Sequence, residues 1–372
     1  MTRTDRSFRP GGAPEASHGP GGAPPGHTPR HDVPGPVTPP ATSHVRAGIR
    51  GGLGEILLDR PEALNALTPA MVAAITEVLT RWAQDDTVDT VVVRSTSPRA
   101  FCAGGDVRLM REEVRADRLD GTMAFFAAEY ALNELIASYP KPYVALLDGV
   151  AMGGGLGLSV HGSHRVVTEH SALAMPETAI GFFPDVGASH FLPRLAPGWG
   201  RYLGLTGARV AAGGALRSGL ATHHVPRKHL DDLVDALARD GIGALDAAHT
   251  PPAPPDHADE DAETALLAVF TGTPLAELES ALSLLPGEGP AAALAALRAA
   301  SPASLVTTDR LLRLGAGASL RDCLARELAT ARNAVVAPDF DEGVRCALVE
   351  RGTRPRWTDA GIRHATARTG GR

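Results

Sequence analysis

The chain is short of several things, and each shortage removes a class of protein. Its 372 residues include three cysteines, Cys102, Cys323 and Cys346, too few and too scattered for a disulfide framework or a zinc site. Such usage suits a reducing compartment, and a cytoplasmic location is expected. No apolar run approaches the roughly 20 residues that cross a bilayer, and the N-terminus lacks the apolar stretch of a secretory signal. No membrane partner is therefore expected. Basic residues are not in excess: 36 Lys and Arg against 42 Asp and Glu leave a net charge of −6, which argues against a nucleic-acid partner. The histidines His161, His164, His170 and His190 pair with no Glu or Asp at ligand spacing, so no metal is implied. Aromatic residues are only 4% of the chain, which leaves much of the core to alanine-rich helices.

What is present divides the chain. Residues 1–45 hold 10 of the 30 prolines and almost no large apolar side chains. Such a stretch cannot offset the entropy lost on ordering, and a disordered Pro/Gly-rich tail is expected. A transit peptide fits it less well, because Asp5, Glu15 and Asp32 interrupt it. Order should begin near Ala47. A strand is expected over Gly54 to Asp59, closing at Arg60-Pro61. Thr68 then reads as a helix cap with Pro69 at the first helical position. Met71, Ala74, Ile75, Val78, Leu79 and Trp82 recur at helical spacing, and Thr90 to Val93 is a β-branched strand. Strand, helix, strand implies a layered α/β core over residues 46–249.

Pro251 to Glu263 reads as an acidic, proline-rich linker, within a linker and variable helical segment over 250–300. A C-terminal helical region over 301–372 follows. Ser301-Pro302 should open a helix that ends with a C′ glycine at Gly315. Ser319 with Asp322 should cap another through about Asn333.

The stretch from Tyr143 to Leu195 carries the chemistry. An apolar run, Tyr143 to Leu147, empties into Gly153-Gly154-Gly155 and resumes through Leu156, Leu158 and Val160. A strand, a glycine turn and a helix start leave backbone N–H groups unpaired and outward-facing. Two carboxylates follow, Glu177 and Asp185, each beside a proline in apolar company; taken alone, Asp185 reads as the cap of a helix that begins near Val186. Upstream, Phe101-Cys102-Ala103-Gly104-Gly105-Asp106 is, taken alone, an ordinary βα turn with Asp106 capping the next helix. Between them a helix from about Met123 to Tyr139 carries the stripe Phe125, Ala128, Leu132, Leu135 and Ile136. Glu129 falls on that stripe, where a carboxylate is costly unless paired or used; the alternatives to a functional role are that Tyr130 or an Arg side chain covers it, or that the stripe is rotated by one position. Ser159 lacks the nucleophile-elbow context, His161 reads as a core histidine, and Cys102 as a packing residue.

Taken together, FCAGGDVR (101–108), MGGGLGLSVHG (152–162), AMPETAIGFFPDVG (174–187) and FLPRL (191–195) resemble the crotonase (enoyl-CoA hydratase/isomerase) superfamily. The same series, with LTG (205–207), SPASL (301–305) and FDEGVRCALV (340–349), more narrowly resembles the hydrolase branch that cleaves 3-hydroxyisobutyryl-CoA, of which Asp185 is a typical extra acid. The resemblance implies a spiral of repeated ββα units with an appended C-terminal helical region, and an oligomer of identical chains. It implies an oxyanion hole formed by the amides of Gly105 and Gly154, with Glu177 and Asp185 as catalytic residues, Glu177 either attacking the thioester carbonyl or deprotonating a water. Asp185 and Glu129 would join Glu177 and Gly154 in holding an acyl-CoA thioester, with CoA as part of the substrate and no separate cofactor. Enoyl-CoA hydratases carry a second glutamate where this chain has Gly157, so hydration or isomerisation is the alternative activity. A non-catalytic CoA-binding protein is the alternative of another class.

Overall fold

The computed structural model describes residues 44–250 and 260–358; the expected tail, the prolines of 251–259 and residues 359–372 lie outside the described residues. β1 (Val45–Arg50) and β2 (Leu53–Leu58) form an antiparallel pair. β3 (Thr90–Ser95), β5 (Tyr143–Leu147), β7 (His164–Val167) and β9 (His223–His224) then add in parallel, giving the order β1-β2-β3-β5-β7-β9. β4 (Ala100–Cys102), β6 (Val150–Met152) and β8 (Ala172–Ala174) make a second, parallel sheet. Each pass of the chain lays one strand in the large sheet, one in the small sheet, and then turns into helix. α2 (Val107–Arg115) and α3 (Leu119–Ala137) close the first pass, and α4 (Gly154–Val160) the second. A 3-10 turn, Glu177–Ile180, and α5 (Ala188–Phe191) close the third. This is the expected ββα spiral.

Local chemistry sets these elements. The Thr68 hydroxyl accepts from Met71 N at 3.2 Å and opens α1 (Pro69–Trp82), whose inward side chains are the apolar set read from the spacing. β3 is apolar without alternation because both of its faces are covered. Val91 and Val93 enter the main core, while Val92 packs with Leu53, Val144 and Val166 under α8 (Leu230–Asp240) and α9 (Ala244–Ala248). α6 (Trp199–Thr206) and α7 (Ala212–Ser218) lead to that cover.

The C-terminal part divides in two. α10 (Glu260–Gly272), α11 (Leu278–Ser283) and α12 (Glu288–Ala299) gather round Phe270, Leu278, Leu282 and Leu297, and reach the spiral at Leu205. Since α10 starts at Glu260, the acidic end of the stretch read as linker is helix. α13 (Pro302–Gly315) and α14 (Leu320–Ala334) instead bury Leu311, Leu312 and Leu324 in the main core. Their starts are as read: Ser301 Oγ accepts from Ser304 N at 3.2 Å, and Ser319 Oγ from Asp322 N at 3.1 Å.

Gly315 corrects one expectation. It ends α13 as expected, but as the last helical residue, with Ala316 as the cap rather than as a C′ glycine, and its missing side chain is used for close packing: a Cβ there would run into the Ser189 carbonyl. Gly315→Ala should therefore destabilise the protein by about 2 kcal/mol, as overpacking does. Urea midpoints of the two proteins test this, and an unchanged midpoint would show that the helix can shift freely.

α3 also differs from expectation. Its buried face keeps Phe125, Glu129, Leu132 and Ile136 but is rotated to take in Phe126, Tyr130 and Asn133, leaving Ala128 exposed. The rotation puts polar groups on the core side of the helix, and they meet the site described next.

Candidate active site

Two glycine turns approach each other at the ends of β4 and β6. In the first, Gly104 takes φ +97°, and its flanks are tied to Leu67: Leu67 N donates to Gly104 O at 2.8 Å, and Asp106 N to Leu67 O at 3.2 Å. Asp106 does cap α2, accepting from Leu109 N at 3.2 Å, so the ordinary reading of this turn is also correct. Gly105 N, between these bonds, donates to no acceptor among the described residues. In the second turn Gly153 takes φ +49° and donates to Ala174 O at 3.4 Å. Gly154, first residue of α4, has no acceptor for its N–H among the described residues. A Cβ on Gly104 would stand 3.3 Å from Gly154 N, and one on Gly154 would stand 3.3 Å from Gly105 N. The two free donors are thus neighbours, and only glycine lets the turns come this close.

Three carboxylates surround them. Glu177 opens the 3-10 turn after Pro176 and is 8% exposed. Its Oε1 lies 2.7 Å from where a Cβ on Gly153 would be, and its Oε2 has no partner among the described residues. Glu129, on α3, is 2% exposed; its Oε1 is also unpartnered and would collide with a Cβ on Gly154. Asp185, 6% exposed, accepts from Tyr130 OH at 2.7 Å through Oδ2. Burial first, and then the charge of Asp185, hold Glu177 and Glu129 well above the ordinary carboxylate range. Burial raises Asp185 to about 6 against the lowering effect of the Tyr130 hydrogen bond. Like charges at this spacing ionise stepwise, as a group.

The structure therefore brings Gly105, Gly154, Glu177 and Glu129 to one place, with Asp185 joined to it through α3. The cap reading of Asp185 does not hold, since Gly187 occupies the cap of α5 and the Asp185 side chain turns to Tyr130. The suggestion that Tyr130 covers Glu129 fails for the same reason. Gly157 faces Val186 and Asn133: a Cβ there would be 2.8 Å from Val186 Cβ and 2.9 Å from Asn133 Nδ2. Val186 achieves this with φ +52°, a left-handed conformation that costs a β-branched residue about 1–3 kcal/mol.

The sequence reading misses Asn133 and Glu327 and gives Tyr130 the wrong partner. Tyr130 and Asn133 lie on the rotated face of α3, and Asn133 is fully buried with neither amide atom partnered. Glu327 on α14 is fully buried too, among Cys323, Leu324 and Ala331. The signal that exposed Glu129, a carboxylate on an apolar helical stripe, was equally present there.

The other candidates are packing groups. Ser159 Oγ donates to Gly155 O and Leu156 O within its own helix. His161 Nε2–H donates to Val186 O at 2.8 Å, and burial lowers its pKa to about 4. Burial pushes the Cys102 thiol up to about 12. Among the described residues no group of three or more His, Cys, Asp or Glu is placed to hold a metal ion, and no helix is long and apolar enough to cross a membrane. A cavity of about 160 Å³ opens beside Gly105 between Leu67, Met110, Thr122 and Phe125. Clefts of about 900 and 790 Å³ elsewhere touch none of the five site residues.

A two-sheet ββα spiral with two free glycine amides against buried carboxylates defines a crotonase-type protein. The family model for enoyl-CoA hydratase/isomerase matches residues 53–369, and the chain belongs to that family of acyl-CoA enzymes. Curated relatives carry a narrower name. The mitochondrial 3-hydroxyisobutyryl-CoA hydrolase of Gallus gallus is 38% identical over 325 residues, 84% of each chain. That of Danio rerio is 40% identical over 321 residues, 82% of this chain and 83% of its own. The expected kinship with the thioester-hydrolase branch is thus borne out. Two solved structures share the fold. A Rhodobacter sphaeroides protein described as an enoyl-CoA hydratase has TM-score 0.78 and 40% identity, covering 84% of this chain and 92% of its own. A Mycobacterium thermoresistibile protein described as a carnitinyl-CoA dehydratase has TM-score 0.79 and 37% identity, with coverage of 84% and 91%.

Proposed function

We propose that the protein hydrolyses the thioester of 3-hydroxyisobutyryl-CoA, or a similar short 3-hydroxyacyl-CoA, as in valine breakdown. The observation that carries this reading is the juxtaposition of two amides unused among the described residues, Gly105 N–H and Gly154 N–H, with the buried carboxylate of Glu177, whose Oε2 has no partner there. The amides take the thioester oxygen and stabilise the negative charge that grows there, each worth about 3 kcal/mol. Glu177 supplies the other half. It either attacks the carbonyl carbon, expelling CoA thiolate and leaving an anhydride that water opens, or removes a proton from the water that attacks directly. Both routes end in carboxylic acid and free CoA, and both require Glu177 ionised. Glu129 contacts the bound acyl-CoA, and CoA enters as part of the substrate, with no separate cofactor.

Asp185 accepts a hydrogen bond from the substrate's 3-hydroxyl and fixes the acyl group beneath the amides. Hydration of a double bond, the activity in the description of one solved relative, is disfavoured by Gly157. The second carboxylate it needs has no room beside Val186 and Asn133. The curated relatives are mitochondrial, so they lend no support to a cytoplasmic location.

A panel of acyl-CoA esters tests the substrate. Asp185→Asn should lower kcat/KM for 3-hydroxyacyl esters about 10²-fold more than for unsubstituted ones, because a site built to bind a hydroxyl rejects its absence. The same change removes a negative neighbour of Glu177. The acid limb of the rate profile, which Glu177 places above the ordinary glutamate range, should then move to lower pH. Equal losses on both ester types, with an unmoved limb, would make Asp185 structural.

A further inference from the structure

We propose that Glu327 is a positioning residue for this site: from the C-terminal helix α14 it holds the Asp185 turn in its strained conformation. The inference rests on the reading of Asp185 as the acceptor of the substrate hydroxyl. It extends that reading from the spiral to the appended helices, which no catalytic argument has so far required.

The turn runs from Pro184 to Ser189 and takes two successive left-handed residues, Val186 at φ +52° and Gly187 at φ +82°. That path does two things at once. It delivers the Asp185 carboxylate to Tyr130 OH, and it lays the Val186 side chain over Gly157. A strained valine persists only where its surroundings over-determine it. Within the spiral, His161 grips Val186 O at 2.8 Å, and Ala188 N closes back on Asp185 O at 2.8 Å. The remaining grip comes from outside the spiral. Glu327 Oε2 accepts from Gly187 N at 2.7 Å, while Oε1 accepts from Ser189 N at 2.9 Å and from Ser189 Oγ at 2.5 Å.

Glu327 is an expensive way to make that contact if packing were the only need. It is 0% exposed, and among the described residues it has no cation beside it; every hydrogen bond it makes is to this one turn. A buried carboxylate without a countercharge is retained where its acceptor geometry is needed, since an apolar residue of similar size would pack at less cost. Its two oxygens span the amides on either side of Ala188, and only the ionised carboxylate accepts at both: burial raises its pKa to about 8, while the hydrogen bonds from Ser189 and Gly187 favour the charged form. Glutamine makes one of the two positions a donor and must leave Gly187 N–H or the Ser189 groups unpaired. The turn should then relax at Val186 and carry Asp185 away from Tyr130.

The test compares binding of two non-hydrolysable thioether analogues by calorimetry, a 3-hydroxyacyl-CoA and the same chain without the hydroxyl, to the full-length protein. Wild type should favour the hydroxylated analogue. Glu327→Gln should lose at least tenfold of that preference, and so should Asp185→Asn. The double variant should lose no more than either, because both act through the same carboxylate. Ser189→Ala, which removes one of the three bonds and spares the fold, should lose part of the preference and keeps the test open if Glu327→Gln does not fold. Leu328→Ala, a packing change on the same helix, should leave the preference intact. Retention of the wild-type preference in the Glu327 and Ser189 variants, or losses that add in the double variant, would overturn the positioning role. The readout is binding, so wild type that favours the hydroxylated analogue yet releases no thiol would remove the hydrolase reading alone.

Discussion

Glu177→Gln should abolish thiol release, by at least ~10³-fold in kcat, while acyl-CoA still binds. The substitution keeps shape and volume, so the oxygen beside Gly153 remains and the packing round the 3-10 turn is undisturbed. What goes is the ionisable group. Glutamine neither attacks a carbonyl carbon nor takes a proton from water, and both hydrolytic routes stop. The change also removes a carboxylate that is buried without a partner on Oε2, so the folded state should be no less stable. A melting temperature at or above that of wild type, with a thioester Kd within a few-fold, separates this outcome from unfolding. Turnover close to wild type would remove Glu177 from the mechanism.

Gly154→Ala should cost about 10²–10³-fold in kcat/KM, the scale of losing an oxyanion donor. Unlike Gly104 and Gly153, Gly154 has no positive φ, so alanine meets no backbone penalty there. The penalty is in space. The new methyl would collide with Glu129 Oε1, stand 3.2 Å from Leu67 Cδ1 and 3.3 Å from Gly105 N, and so cover the place where the carbonyl oxygen must sit. Glu129 and Leu67 are side chains and can give way, so the fold should survive. Near-normal turnover in Gly154→Ala would place the reacting carbonyl elsewhere.

The sequence disclosed the spiral and most of the site for identifiable reasons. Glycine is legible because only it tolerates the path at Gly104 and Gly153, and motif order then told functional turns from ordinary ones. Glu129 was legible because a carboxylate among Phe125, Leu132 and Ile136 is physically out of place. The same rule marks Glu327 beside Leu324 and Ala331. Tyr130 was misassigned because its partner, Asp185, is 55 residues away and reaches it only after the third pass of the spiral has folded. Asn133 was hidden by reading the stripe of α3 one position out. Gly315 does end α13, but not as a C′ glycine: the Ser189 carbonyl, which excludes any side chain there, had no local signature. Local signals thus gave the elements and their caps. The contacts between passes, which set carboxylate partners and pKa, had no local signature.

Free thiol appearing when the purified protein meets 3-hydroxyisobutyryl-CoA is the most direct test of the account. Thioester cleavage at the paired amides predicts stoichiometric CoA and 3-hydroxyisobutyrate over many turnovers, with little hydration of crotonyl-CoA under the same conditions. Rapid hydration of crotonyl-CoA without release of thiol from any ester would contradict it.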